Sequence, residues 1–146
     1  MDTGAIAGRS RPRSRRPLVI YLDSSVVLAH LLIEERRPAA AFWQQVSVSS
    51  RLLEYEVWSR IGARGLGQSH REEVRASLAK IGMIELTRLS LRRALEPFPV
   101  AVRTLDALHL ATMDFIRESG EPVQLASYDN RLIAAAEALG ITPAAL

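Results

Sequence analysis

The chain predicts an α/β fold, a mainly parallel central sheet with helices on both faces. Short apolar, β-branched runs alternate with segments of helical periodicity, as right-handed βαβ crossovers require. With 146 residues, 48% of them hydrophobic, the chain suits one domain with a sizeable core. No internal repeat or second domain is visible.

PLVIYL (17–22) reads as the first strand and SSVVLAHLLIEE (24–35) as the helix behind it. PAAAFWQQ (38–45) is a short helix opened by Pro38, and VSVS (46–49) is short and β-branched. Ser49 and Ser50 are cap candidates for RLLEYEVWSRIGARG (51–65), whose apolar residues at 52, 53, 57 and 61 have helical spacing and which ends in Gly65. SHREEVRASLAKIG (69–82) begins at Ser69 or His70, carries Glu72 and Glu73 in its first turn, and closes with Lys80 and Gly82. MIELTR (83–88) is a strand, and SLRRALE (90–96) a short helix stopped by Pro97 and Pro99. TLDALHLATMDFIRESG (104–120) is a long helix capped by Thr104 and closed by Gly120. PVQLASYD (122–129) is a strand, NRLIAAAEALG (130–140) a helix, and ITPAAL ends the chain.

The formal charge of +3 and pI near 9.9 come from one end of the chain. Residues 1–17 hold Arg9, Arg11, Arg13, Arg15 and Arg16 against Asp2, and the remainder carries fourteen basic and fifteen acidic residues. This Arg-, Ser-, Gly- and Pro-rich head cannot repay the entropy of ordering, so it is expected to be a flexible arm. The folded part, 18–146, is close to neutral. SRRPLVIYL imitates a twin-arginine export signal, but Asp23 interrupts the run and no small-residue cleavage site follows. No run of about 18 apolar residues is free of charge, so no membrane helix is expected. The absence of cysteine excludes disulfides, thiolate metal sites and a cysteine nucleophile, and suits a cytoplasmic protein.

In an open parallel sheet the binding crevice lies outside the carboxyl ends of the strands, and Asp23 and Asp129 fall at two such ends. Asp106 stands in the first turn of a helix whose start can face the same edge. Each has a structural alternative, as a cap or first-turn stabiliser. Glu56 sits mid-helix near the apolar stripe, where an unpaired carboxylate costs several kcal/mol, so it needs a partner. Arg60, four residues on, fits as an ordinary helical pair. Carboxylates gathered on one edge would raise one another's pKa unless a hard cation is bound, so such a cluster predicts Mg²⁺ or Mn²⁺ on oxygen ligands.

YLDSSVVL, SRLLEYEV, RTLDALHLAT and SYDNRLIAAAEALGI resemble, in order and spacing, the four motifs of the PIN domain, in the VapC branch of toxin–antitoxin ribonucleases. The resemblance spans residues 18–143. It implies a single PIN-like domain, an acidic quartet of Asp23, Glu56, Asp106 and Asp129, and metal-dependent RNA hydrolysis. Asp23 and Asp106 are expected as the principal ligands of the ion. Glu54 competes with Glu56, but the family's Ser-x-Leu-x-x-x-Glu pattern fits Ser50, Leu52 and Glu56. Ser24 or Ser25 would support the site, although capping explains both as well. The family also implies a homodimer and a cognate VapB-like antitoxin, with no membrane role. Phe42 and Trp43, and Leu52, Tyr55 and Trp58, are interface candidates or plain core.

Arg64, Arg103 and Arg131 are candidate RNA contacts, each equally suited to a surface ion pair. His109, alone in its helix, reads as a structural histidine. No glycine-rich phosphate loop is present, and the only lysine, Lys80, lies in a helix. The competing function is a non-catalytic nucleic-acid-binding module on the same fold.

Overall fold

The computed structural model describes residues 16–146. In chain order the elements are β1 (Val19–Leu22), α1 (Ser24–Leu31), a 3₁₀ helix (Ala40–Gln44), β2 (Ser47–Ser50), α2 (Leu52–Ala63) and α3 (Arg71–Ala79). They continue with β3 (Gly82–Ile84), α4 (Arg88–Leu95), α5 (Thr104–Glu118), β4 (Val123–Ala126), α6 (Asn130–Ala138) and β5 (Thr142–Pro143). The five strands form one sheet in the order β3-β2-β1-β4-β5, and every pairing is parallel. The α/β expectation therefore holds.

The chain builds outward from β1 to β2 and β3, then crosses to β4 and β5 on the other side. The switch in direction falls between β1 and β4, where an open α/β sheet has its natural crevice. β1 is central and its apolar residues alternate between two cores. Ile20 and Leu22 join Val26, Leu53, Val57 and Ile61 beneath α1, α2 and α3. Tyr21 faces the opposite side, with Leu110, Met113 and Leu132 from α5 and α6.

Several element ends differ from the sequence reading, each for a local reason. α1 stops at Leu31, short of Glu35, because the backbone turns left-handed at Ile33 (φ 51°) and the Glu34 amide donates to the Ala29 carbonyl at 3.0 Å. That closing turn usually carries glycine; isoleucine in its place costs on the order of 1–2 kcal/mol. β3 ends at Ile84 and α4 begins at Arg88, before Ser90, because the Thr87 hydroxyl accepts from the Ser90 amide at 3.2 Å and caps the helix two residues early. Thr104 opens α5 as its first residue without capping it; the cap position is Arg103. At the far edge Gly140 (φ 80°) closes α6, the Ile141 amide reaching back to the Ala136 carbonyl at 2.9 Å. Pro143 can follow in β5 because an edge strand needs no further donor.

Of the expected head, residues 1–15 lie outside the described residues. Arg16 is described, and its guanidinium donates to the Ser119 carbonyl at 3.0 Å. No helix among the described residues is long and apolar enough to cross a membrane.

The helical layer on the α5 side is clamped by one carboxylate. Asp114, buried, accepts from Arg93 Nε of α4 at 2.8 Å and from Arg117 Nη2 at 2.5 Å. Arg93 also lies over the Phe98 ring at 4.4 Å, and Arg117 Nη1 donates to the Leu139 carbonyl at 2.5 Å. One side chain thus joins α4, α5 and the end of α6. Removing it takes the carboxylate from two part-exposed guanidinium groups, so Asp114→Ala is expected to lower stability by about 2 kcal/mol, read from urea unfolding. A loss under about 0.5 kcal/mol, the range of an ordinary surface change, would show that the clamp is solvent-screened.

Candidate active site

Asp23 is the residue at which β1 becomes α1. Its backbone is extended (φ −85°, ψ 153°), and its amide donates to the Ala126 carbonyl of β4 at 3.0 Å. The side chain caps α1 and is buried. Every described hydrogen bond to it goes to one oxygen: Oδ2 accepts from Ser25 Oγ at 2.6 Å, from Ser127 Oγ at 2.9 Å and from the Ser25 amide at 3.4 Å. Oδ1 is left for the cleft. Asp23 thus caps α1 while its other carboxylate oxygen stays outside these bonds.

The two supporting hydroxyls link this acid to others. Ser25 Oγ accepts from the Tyr128 amide, and Ser127 Oγ from the Asp129 amide, both at 2.9 Å. Ser24 Oγ donates to Glu56 Oε2 at 3.1 Å. Neither serine caps α1; that is done by Asp23.

Asp129 follows β4 as Asp23 follows β1. It caps α6, with Oδ1 accepting from the amides of Arg131 at 2.9 Å and Leu132 at 3.3 Å. Asp106, third residue of α5, is half-buried. Burial first, then the carboxylates of Asp129 and Asp23, push its pKa up; His109 and Arg103 oppose the shift.

Glu56 does not pair with Arg60, as its spacing allowed. Its Oε1 meets His109 Nε2, and His109 Nδ1 meets the Tyr21 hydroxyl at 2.6 Å. Glu54 points elsewhere, pairing with Arg51 at 3.0 Å. His109 is buried, as a structural histidine should be, but its ring bridges a core phenol and a cleft carboxylate. Burial pushes the Tyr21 pKa up, so at neutral pH its phenol keeps a proton to donate. One signal for His109 stood in the sequence: it lies one turn after Asp106, on the same side of α5.

Asp23, Ser24, Ser25, Glu56, Asp106 and Asp129 line one cleft of about 660 Å³, at the β1/β4 switch point. Arg64 and Arg103 line it too, with Arg60. Arg131 does not; it lines an adjoining hollow shared with Arg103 and Asp106. Asp23 and Glu56 of the cleft and the buried His109 behind it bring ligand-capable atoms within 4.8 Å of one another. The tightest group therefore differs from the expected ligand pair, Asp23 and Asp106. The oxygens left to the cleft, above all Asp23 Oδ1 and the Asp106 carboxylate, are hard donors that fit Mg²⁺ or Mn²⁺.

An open parallel sheet with four carboxylates converging at its switch point defines an α/β protein with an acidic, cation-competent cleft. Within that class, the PIN domain matches residues 20–138, and the chain belongs to the PIN-domain family. Two ribonucleases of Mycobacterium tuberculosis are similar to it: VapC35 is 32% identical over 129 residues, and VapC46 33% identical over 125. Each comparison covers 84% of this chain and 93% of the relative. Among solved structures, a toxin–antitoxin complex from Klebsiella pneumoniae contains a chain that superposes with a TM-score of 0.58 at 17% identity, covering 82% of this chain and 93% of that one. At that identity the likeness is one of fold.

The field at Asp106 has a thermodynamic consequence. With a raised pKa, the native state holds the Asp106 proton to higher pH than the unfolded chain, so this group's stabilising contribution is present at low pH and lost as pH rises through the raised value. In EDTA at pH 7, Asp106→Asn should melt above the wild type, the gap closing as pH falls below about 4. Added Mn²⁺ should raise the wild-type Tm and reverse the order. A variant that melts below the wild type in EDTA at pH 7 contradicts the raised Asp106 pKa.

Proposed function

We propose that this cleft hydrolyses phosphodiester bonds of RNA with Mg²⁺ or Mn²⁺, and that the protein is the toxin half of a cytoplasmic VapBC-type toxin–antitoxin pair. The observation that carries the reading is the convergence of four carboxylates, from four separate elements, on the switch point of the sheet, with oxygens left over for a cation. Two relatives named ribonuclease support it, as does the toxin–antitoxin title of the similar structure.

In this reading Asp23 and Asp106 hold the ion and Asp129 completes the acidic wall. When bound, the ion supplies Lewis-acid polarisation of the phosphate and neutralises charge that develops in the transition state. Glu56 accepts a hydrogen bond from the attacking water and orients it towards phosphorus. The water oxygen bonds to phosphorus, the P–O ester bond breaks, and the leaving oxygen takes up a proton as the water loses one. Arg60, Arg64 and Arg103, which line the same cleft, would take the flanking phosphates. Arg131 is a weaker candidate, because its hollow lies beside the cleft.

A VapB-like antitoxin would occupy this basic-walled acidic groove, and a second copy of the chain would complete a homodimer. Of the interface candidates, Phe42 is buried in the core while Tyr55 on α2 is 66% exposed. Light scattering of the purified chain at a dimer mass is the expected result; a monomer would remove the homodimer from the reading.

Cleavage of a structured RNA pool tests the chemistry. Wild type should cut with Mg²⁺ or Mn²⁺ and stop in EDTA, while Asp23→Asn and Asp106→Asn should each lose on the order of 10²–10³-fold in rate. RNA binding that persists in EDTA, with no cleavage by wild type under either ion, would favour a non-catalytic binding module.

A further inference from the structure

Glu56 differs from the other three acids in how it is held. Asp23, Asp106 and Asp129 leave the backbone at helix starts, so short side chains and fixed main-chain positions place them. Glu56 leaves the middle of α2 on a longer side chain with three rotatable bonds. Nothing in its own helix fixes it: Arg60 makes no ion pair with it among the described residues, and Glu54 and Arg51 pair with each other.

The contacts that do fix it come from other elements, one of them across the sheet. Tyr21, fully buried on β1, places its hydroxyl 2.6 Å from His109 Nδ1. His109, on α5 and 1% exposed, turns Nε2 to Glu56 Oε1. Ser24 completes the arrangement at Oε2. A phenol that donates to Nδ1 leaves the neutral ring's proton on Nε2, where it can be donated only to Glu56. Both ring nitrogens are then engaged by the protein, so His109 lacks a free lone pair for an ion, although its Nε2 lies within ligand distance of Asp23 and Glu56. Each Glu56 oxygen has one bond to the protein and keeps one lone-pair direction for the cleft.

We infer that the buried Tyr21–His109 pair is a positioning device for Glu56, locking the carboxylate so that its remaining lone pairs present a fixed acceptor to the attacking water. His109 and Tyr21 are positioning residues, since neither touches substrate. The inference rests on the nuclease reading above, and it deepens that reading by assigning two residues outside the acidic quartet. A histidine that served packing alone would be replaceable by leucine; one that orients Glu56 would be replaceable by glutamine, whose amide nitrogen can stand where Nε2 stands.

The test uses the full chain with a defined RNA and Mn²⁺. His109→Leu should lower kcat about 10–100-fold with KM for RNA unchanged. His109→Gln should restore most of that loss even if it melts below His109→Leu, and Tyr21→Phe should give a smaller loss of the same kind. The second readout is independent of turnover: proton NMR of the metal-free protein should show a downfield, slowly exchanging imidazole N–H that is absent in His109→Gln and shifted in Glu56→Gln and Tyr21→Phe. Wild-type kcat in a folded His109→Leu, or activity that follows Tm across the three variants, overturns the inference. So does an imidazole N–H indifferent to Glu56→Gln. If His109→Leu fails to fold, His109→Gln and Tyr21→Phe decide by the same criteria. If wild type cuts no RNA with either ion, the nuclease reading fails, and the resonance still decides whether the pair orients Glu56.

Discussion

The site depends on the register of β1 against β4. Leu22 pairs with Ala126, so the two strands leave the sheet side by side at Asp23 and Ser127. That adjacency allows Ser127 to donate to Asp23 and to accept from the Asp129 amide, tying two acids from distant parts of the chain through one hydroxyl. A slip of one residue would exchange the faces of β1. Tyr21 would move from the α5 side to the α1 side, and the contact to His109 would be lost with the spacing of the acids.

Gathering carboxylates in this way works against stability, and the local contacts only partly offset it. Asp23 is served by two hydroxyls, Asp129 by two helix amides, and Glu56 by an imidazole and a hydroxyl. Helix starts add roughly 0.3–1 kcal/mol for each acid placed there. Two unit charges 4 Å apart in a surface-like dielectric repel by about 4 kcal/mol, which exceeds what one helix end supplies. Asp106 holds its proton more tightly than usual, through its burial first and the neighbouring carboxylates of Asp129 and Asp23 second. The fold keeps the cluster because stability comes from elsewhere, in the two cores that sandwich β1 and in the Asp114 clamp. A divalent cation bound there, as the nuclease reading requires, would remove the remaining repulsion.

What could be read from the sequence was whatever local chain geometry determines. Strand and helix alternation gave the parallel sheet, and acids at the ends of LVIYL and VQLASY marked the edge where the cleft opens. Element ends were harder. Thr87, read as part of a strand, instead caps α4 because its hydroxyl reaches the Ser90 amide. Ile33 ended α1 in a left-handed turn that a β-branched residue would not advertise. Arg60 was a plausible partner for Glu56 by helical spacing, and lost to His109, fifty-three positions away.

That last case separates two ways of building one site. An aspartate at a helix start has a short side chain, and the backbone that forms the cap also aims the carboxylate, so sequence position nearly fixes its place. A glutamate in mid-helix has more rotamers to lose, on the order of 1.5–2 kcal/mol of conformational entropy, and its own helix offers no donor to hold it. Order must come from tertiary contacts, which here cross the sheet from Tyr21 through His109. The buried phenol and imidazole therefore look like core when each is read in its own element. Their role emerges only when β1, α2 and α5 meet, because the group they restrain belongs to a third element on the cleft.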